Sequence, residues 1–298
     1  MKFIAPVQIG DAQLTASSLT EADHPAWASG TVYSAGARVI LTSTHRIYQR
    51  INAGSSATAP NLDPVNWVDI GPTNKWAPFD QAVGTAASSG VATTLSYTIT
   101  PGQVCTGIAL LDAACDSITL SVAVGSTVLY TRNYAPSLSA ADVGDWYAYF
   151  FESIDRRTSL VDMNLPAFSE AVITVTLAGR APLELGTLAL GRPVDMGLTL
   201  AGDRASINDY SIKETDSFGT TSLVSRDYAR RLESQVVVPT KQVSTIARRL
   251  AAVRATPVVW IGDETVDVTL VYGWCREWVL EMQYPNISHC SLVIEGLV

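Results

Sequence analysis

Charge is scarce in this chain. Charged residues make up 16% of it against 47% apolar ones, where roughly 25% charged is usual for soluble domains. A surface so poor in charge implies that neighbouring subunits cover part of it. The 20 basic residues are outnumbered by 28 acidic ones, for a formal net charge of −8. A binder of phosphate backbones needs a clustered cationic face, so nucleic acid is not an expected partner. The four cysteines, Cys105, Cys115, Cys275 and Cys290, form no CxxC and stand at no zinc spacing with histidine. They read as buried free thiols acting as small hydrophobes; a Cys105–Cys115 disulfide would need an oxidising compartment. Three histidines, His24, His45 and His289, are widely separated, and no HExxH, GxSxG, Walker or GxGxxG pattern stands in a suitable context. No apolar run reaches the ~18 residues of a membrane-spanning helix. In the opening "MKFIAPVQIGDAQLTAS", Pro6, Gln8, Gly10 and Asp11 break up any signal-peptide core. A non-enzyme with no metal, no cofactor and no membrane span is therefore the expectation.

What the sequence does have is strands. Residues 81–195 carry short runs rich in β-branched and aromatic residues, "VATTLSYTIT", "VCTGIALL", "SITLSVAV", "STVLYTRNY", "DWYAYFFES", "AVITVTLAG" and "LELGTLALG". Turn signals such as Pro101-Gly102, Asp116-Ser117 and Gly125-Ser126 separate them, the pattern of a β-sandwich or jelly roll. Before it, "YSAGARVILTSTHRIYQRI" predicts two strands with Val39, Leu41, Ile47 and Tyr48 in a small core, and His45 and Arg46 in a solvated turn. In "PTKQVSTIARRLAAVRATP", Val243, Ile246, Ala247, Leu250 and Val253 share one helical face. Thr240 is placed to cap that helix and Pro257 to stop it. The expected protein is mainly β: a leader (1–25), a small three-stranded unit (26–72), a β-sandwich body (73–195) and an α+β region with one helix (196–298).

Acidic residues gather in "DRASINDYSIKETDSFG" as Asp203, Asp209, Glu214 and Asp216. Paired carboxylates can hydrolyse glycosides when they face each other across a substrate; on a solvated strand or loop they need no such role. Their spacing misses the calcium-loop pattern.

Two resemblances carry the functional expectations. Trp27, Tyr33, Gly36, Val39, Tyr48, Pro60 and Trp67 follow the order and approximate spacing of the small chitin- and cellulose-binding modules of the type 5/12 class. The resemblance implies a short twisted three-stranded unit. In it Trp27, Tyr33 and Trp67 either stack on a cell-surface glycan or form the core of a tiny domain. From about residue 65 onward, "GPTNKWAPFD", "DWYAYFF", "INDYSIKETDSFG", "RATPVVWIGD" and "CSLVIEGL" are similar to a broad group of tailed-bacteriophage virion proteins. That similarity implies a structural tail-tip or baseplate subunit, made in the host cytoplasm and carried in the virion. It would assemble with other tail proteins as a symmetric homo-oligomeric ring. Trp76, Phe79, Trp274 and Trp278 are the contact candidates, the last two placed together by their even spacing on a strand; packing within one subunit is the other reading for that pair. The rival functions are a glycan-binding receptor-recognition protein and a tail enzyme acting through Asp209 and Glu214.

Overall fold

The computed structural model describes residues 1–297 except 83, 136–145, 152–156, 216–217, 265 and 283. The chain is mainly β, as composition and periodicity predict, with one amphipathic helix in its C-terminal region.

Arg46–Arg50 is the middle strand of a three-stranded sheet, between Arg38–Leu41 and Trp67–Pro72. Val39, Leu41, Tyr48 and Trp67 form its core. Ile47, expected inside, is only half-buried. Strand alternation turns Tyr48 and Arg50 inward instead. The Arg50 guanidinium sits 5.0 Å above the Trp67 ring, and its Nε donates to the Asn52 carbonyl at 2.7 Å.

The body is a sandwich of two antiparallel sheets. One has the order Thr127–Tyr134, Ser117–Val124, Val172–Ala178, Thr94–Ile99, Leu14–Ser17. The other has the order Leu160–Asp162, Gly107–Ala114, Glu184–Gly191, Ala87–Ser88. In the first sheet alternate residues, such as Leu95, Tyr97 and Ile99, point into the core and the rest face outward. Strands Gly107–Ala114 and Glu184–Gly191 are buried along nearly their whole length. Their Ile108, Leu110, Leu185, Leu188 and Leu190 meet the first sheet. Ala109, Leu111 and Ala189 meet Val259, Ile261 and Leu270 of a third layer. That double burial is why "GIALL" and "LGTLALG" read as unbroken apolar runs.

The third layer is an eight-stranded sheet: Pro193–Asp195, Lys2–Ile4, Val258–Ile261, Leu270–Glu281, Ile287–Gly296, Tyr228–Pro239 and Leu198–Thr199 in order, with Arg204–Asp209 also on Tyr228–Pro239. The expected leader is thus structural. Lys2–Ile4 lies between Pro193–Asp195 and Val258–Ile261, Phe3 packs against Trp260 at 5.2 Å, and Leu14–Ser17 pairs with the sandwich. Helix Val243–Ala252 covers the outer face of this sheet with Ile246 and Leu250. Thr240 does not cap it. It opens a 3-10 turn, and its hydroxyl goes to Ser288 Oγ at 3.0 Å. None of the four cysteines is in a disulfide.

The run "DWYAYFFES" differs from expectation. Residues Trp146–Phe151 form a six-residue helix, not a strand; 145 and 152–153 lie outside the described residues. Aromatic side chains four apart suit a helix as well as a strand. Here Trp146 stacks on Phe150 and Tyr147 meets Phe151, at 6.1 and 5.1 Å between centroids.

A buried carboxylate ties the two sandwich sheets together. Asp162 accepts hydrogen bonds from the hydroxyls of Tyr130 and Tyr134 across the sandwich, and from the Asn164 amide at 2.9 Å. Asp162→Ala would strand two half-buried hydroxyls and remove charge-assisted bonds. The expected loss is about 3 kcal/mol, read from the denaturant midpoint. An unchanged midpoint would show that the clamp contributes nothing.

Candidate functional site

The aromatic residues of the small unit are packed together, not displayed. Trp67 is 2% exposed, Tyr33 meets it edge-on at 5.3 Å, and the Tyr33 hydroxyl accepts from the Ala28 amide at 2.9 Å. Trp27 and Tyr33 are half-buried against this core. Trp67 is closed off inside this core, while Trp27 and Tyr33 keep part of their surface open.

The small unit meets the body through a polar-aromatic contact. His45, at the hairpin tip with φ 55°, stacks on Trp76 at 3.9 Å between centroids. Its Nδ1 lies 3.1 Å from Glu21 Oε2 and its Nε2 3.4 Å from Asp11 Oδ2. Glu21 also accepts from Trp76 Nε1 at 3.3 Å and from the Thr73 hydroxyl at 3.2 Å. Trp76 itself is buried in the sandwich core, with Phe79 edge-on to it at 6.0 Å and to Tyr97 at 5.5 Å. The tip read as a solvated turn is therefore a docking point. A lone histidine between polar residues carries no signal of this, and neither does an acidic residue in an apparent leader.

Trp274 and Trp278 are not placed together. A bulge leaves Arg276 without a cross-strand partner, so Trp274 opposes Glu295 while Trp278 opposes Leu292. Along Ile287–Gly296 these two partners point to opposite faces, and directly opposed residues share a face. The extra residue reverses the alternation that even spacing assumes.

The acidic residues do not converge. Asp209 opposes Tyr228, and Glu214 opposes Ser222 on a separate two-stranded ribbon, Ile212–Thr215 with Thr221–Val224. Asp209 is fully exposed, its carboxyl held below the usual range by the hydrogen bond from Ser211. Asp203 sits back beside Gly262; Asp216 lies outside the described residues. Among the described residues no group of three or more His, Cys, Asp or Glu could hold a metal, and no helix is long and apolar enough to cross a membrane.

Three other features are open to a ligand or partner. The ribbon pairs only with itself among the described residues, and with the strand leading to it exposes Ile207, Tyr210, Val224 and Leu223, the last 72% exposed. At the far end of the same sheet, the hairpin between Leu270–Glu281 and Ile287–Gly296 exposes Met282, 70% exposed, with Tyr284 and Ile287. The third feature is a cleft of about 300 Å³ between the sandwich and the C-terminal sheet. Asp112, Ser159, Thr187, Asp227, Tyr228 and Arg230 line it, with Tyr272 in its wall. Burial, reinforced by the Asp80 carboxylate, pushes the Tyr272 phenol up to about 12, which keeps its hydroxyl a donor.

No protein-family model matches this chain, and no curated protein matches it.

Proposed function

We propose that the chain is a non-enzymatic structural subunit of a tailed-bacteriophage virion, at the tail tip or baseplate, which assembles with copies of itself and with other tail proteins. The observation that carries the reading is the pair of exposed apolar surfaces, on the ribbon and on the hairpin. One adjoins the Tyr228 end and the other the Pro239 end of the twelve-residue strand Tyr228–Pro239 in the eight-stranded sheet. At a rise of about 3.3 Å per residue they are roughly 36 Å apart and cannot meet within one molecule. In a row of copies, the ribbon of one subunit can reach the hairpin of the next. Such a head-to-tail contact closes into a ring when the rotation permits. It would also cover the unpaired ribbon edges, which otherwise invite aggregation, and the apolar side chains beside them. The low charge of the chain and the separation of Asp209 from Glu214 agree with a building block.

Mass measurement of the purified chain, alone and co-expressed with neighbouring tail proteins, tests this. The expected species is a discrete ring or a co-complex, reduced to smaller species by Leu223→Lys or Met282→Lys. A monodisperse monomer under both conditions would sink the assembly reading.

A further inference from the structure

The cleft between the sandwich and the C-terminal sheet has the make-up of a ligand site in its own right. Ser159 and Thr187 are 4% and 5% exposed and line it. The exposed carboxylates of Asp112 and Asp227 stand beside these hydroxyls in the lining. Arg230 reaches the Leu270 carbonyl only at 3.5 Å and Asp267 at 3.9 Å, which leaves donors for a guest.

One wall is shaped around the Asp112 carboxylate. Asp112 holds a left-handed φ of 53° inside strand Gly107–Ala114, a conformation that is costly for a residue with a Cβ and that tends to persist where function demands it. The strand beside it carries Gly186, where a Cβ would come within 2.9 Å of the Asp112 Cβ. The neighbouring strand is thus cut back to admit this residue, which is exposed and lines the cleft.

The lining restricts the guest by elimination. Two carboxylates against one guanidinium disfavour an anion. A bare cation finds only two carboxylates here, and among the described residues no group of three or more His, Cys, Asp or Glu could hold a metal. Hydroxyls of a polyol both donate and accept, so they can serve Asp112, Asp227, Ser159, Thr187 and Arg230 together. The half-exposed ring of Tyr228 supplies an apolar face for sugar C–H groups. The volume stands at the small end of the roughly 300–1,000 Å³ range of ligand pockets, room for one saccharide unit. We propose that this cleft binds a single neutral pyranose unit, held by Asp112, Thr187, Ser159 and Asp227 and packed on Tyr228.

This site lies away from the small N-terminal unit but borders the base of the ribbon, where the Tyr210 amide donates to the Asp227 carbonyl at 3.3 Å and Asp209 opposes Tyr228. Sugar binding and assembly are read by separate measurements, so its failure would leave the structural reading standing. The test is saturation-transfer NMR and calorimetric titration of the full chain with the methyl glycosides of glucose, galactose, mannose and N-acetylglucosamine. N-acetylneuraminic acid and calcium chloride serve as the anionic and cationic probes. At least one neutral glycoside is expected to bind saturably. Its affinity should fall about tenfold in Asp112→Asn and in Thr187→Val, as for the loss of one buried, charge-assisted hydrogen bond. Asp227→Asn and Tyr228→Ala, like Asp112→Asn, stand at exposed positions and give the same readout should Thr187→Val fold poorly. Absence of binding by all four glycosides would overturn the proposal. So would binding that survives the folded variants unchanged, or binding of calcium or the acidic sugar only.

Discussion

Replacing Trp76 by alanine is expected to cost about 4 kcal/mol of stability, the range for a fully buried tryptophan. The side chain has two roles at once. Its ring fills the sandwich core beside Phe79, and its outer face carries the stacked His45 imidazole. Removal leaves a cavity, takes the indole N–H from Glu21 and withdraws the surface on which the small unit rests. Trp76→Phe is a milder change, since it keeps one aromatic ring while losing the N–H and the second ring of the indole. It should cost about 1–2 kcal/mol. A double-mutant cycle of Trp76→Phe with His45→Ala should show coupling of about 1 kcal/mol, because the two residues are in direct contact. The urea midpoint measures each. A Trp76→Ala protein within 1 kcal/mol of the parent would mean that the two bodies do not depend on this contact.

The strands of the sandwich are legible in the sequence because half-buried strands alternate, and "TLSYTI" writes its inward Leu95, Tyr97 and Ile99 at every second position. The helix over Val243–Ala252 is legible for the matching reason, a stripe at helical spacing that places Ile246 and Leu250 on the sheet. What escapes is whatever depends on partners far away in the chain. Lys2–Ile4 is three residues long, and its strand identity comes entirely from pairing with Pro193–Asp195 and Val258–Ile261. A local reading sees a short strand-like stretch in "FIAPVQIG" but not the strands it pairs with. The bulge at Arg276 escapes for a different reason: inserting one residue into a ladder changes which face each tryptophan takes without changing composition or spacing.

The candidate sites divide along the same line. Trp76 is marked in the sequence by its Gly-Pro and Pro surroundings, whereas Glu21 and His45 become its partners only when the hairpin tip folds back onto the body. The cleft is more hidden still. Its polar lining comes from Asp112, Ser159, Thr187 and the segment Asp227–Arg230, spread over more than a hundred residues, and no two neighbouring segments show a motif. Only the third layer packing against the sandwich gathers them. The acidic cluster shows the reverse: Asp209 and Glu214, close in sequence, are set on separate pairs of strands.

The second large effect is expected from Gly191→Ala, a change that leaves secondary-structure preference almost untouched. The N-terminal strand leaves its sheet at Ile4 and crosses directly over Gly191, and the Val7 amide donates to the Leu190 carbonyl at 2.7 Å. A Cβ on Gly191 would stand 2.3 Å from the Ala5 carbonyl oxygen and 2.9 Å from Ile4 Cγ2. Backbone on one side and a fully buried isoleucine on the other leave little room for relief. Its cross-strand partner Gly107 is equally confined, 2.5 Å from Pro193 Cγ by the same construction. The crossing is therefore held open by a glycine pair, and a methyl group must push the N-terminal segment off the sandwich. A loss of about 3 kcal/mol is expected, as for an overpacked core site, together with faster amide exchange over Lys2–Ile4. Gly10→Ala is the control. Its nearest contact would be ordinary, Gln13 Oε1 at 3.5 Å, so it reports the chain-entropy effect of glycine replacement without the clash. Should Gly191→Ala match that control in both midpoint and exchange, the N-terminal strand would not be pinned at this crossing, and the three layers would be held together elsewhere.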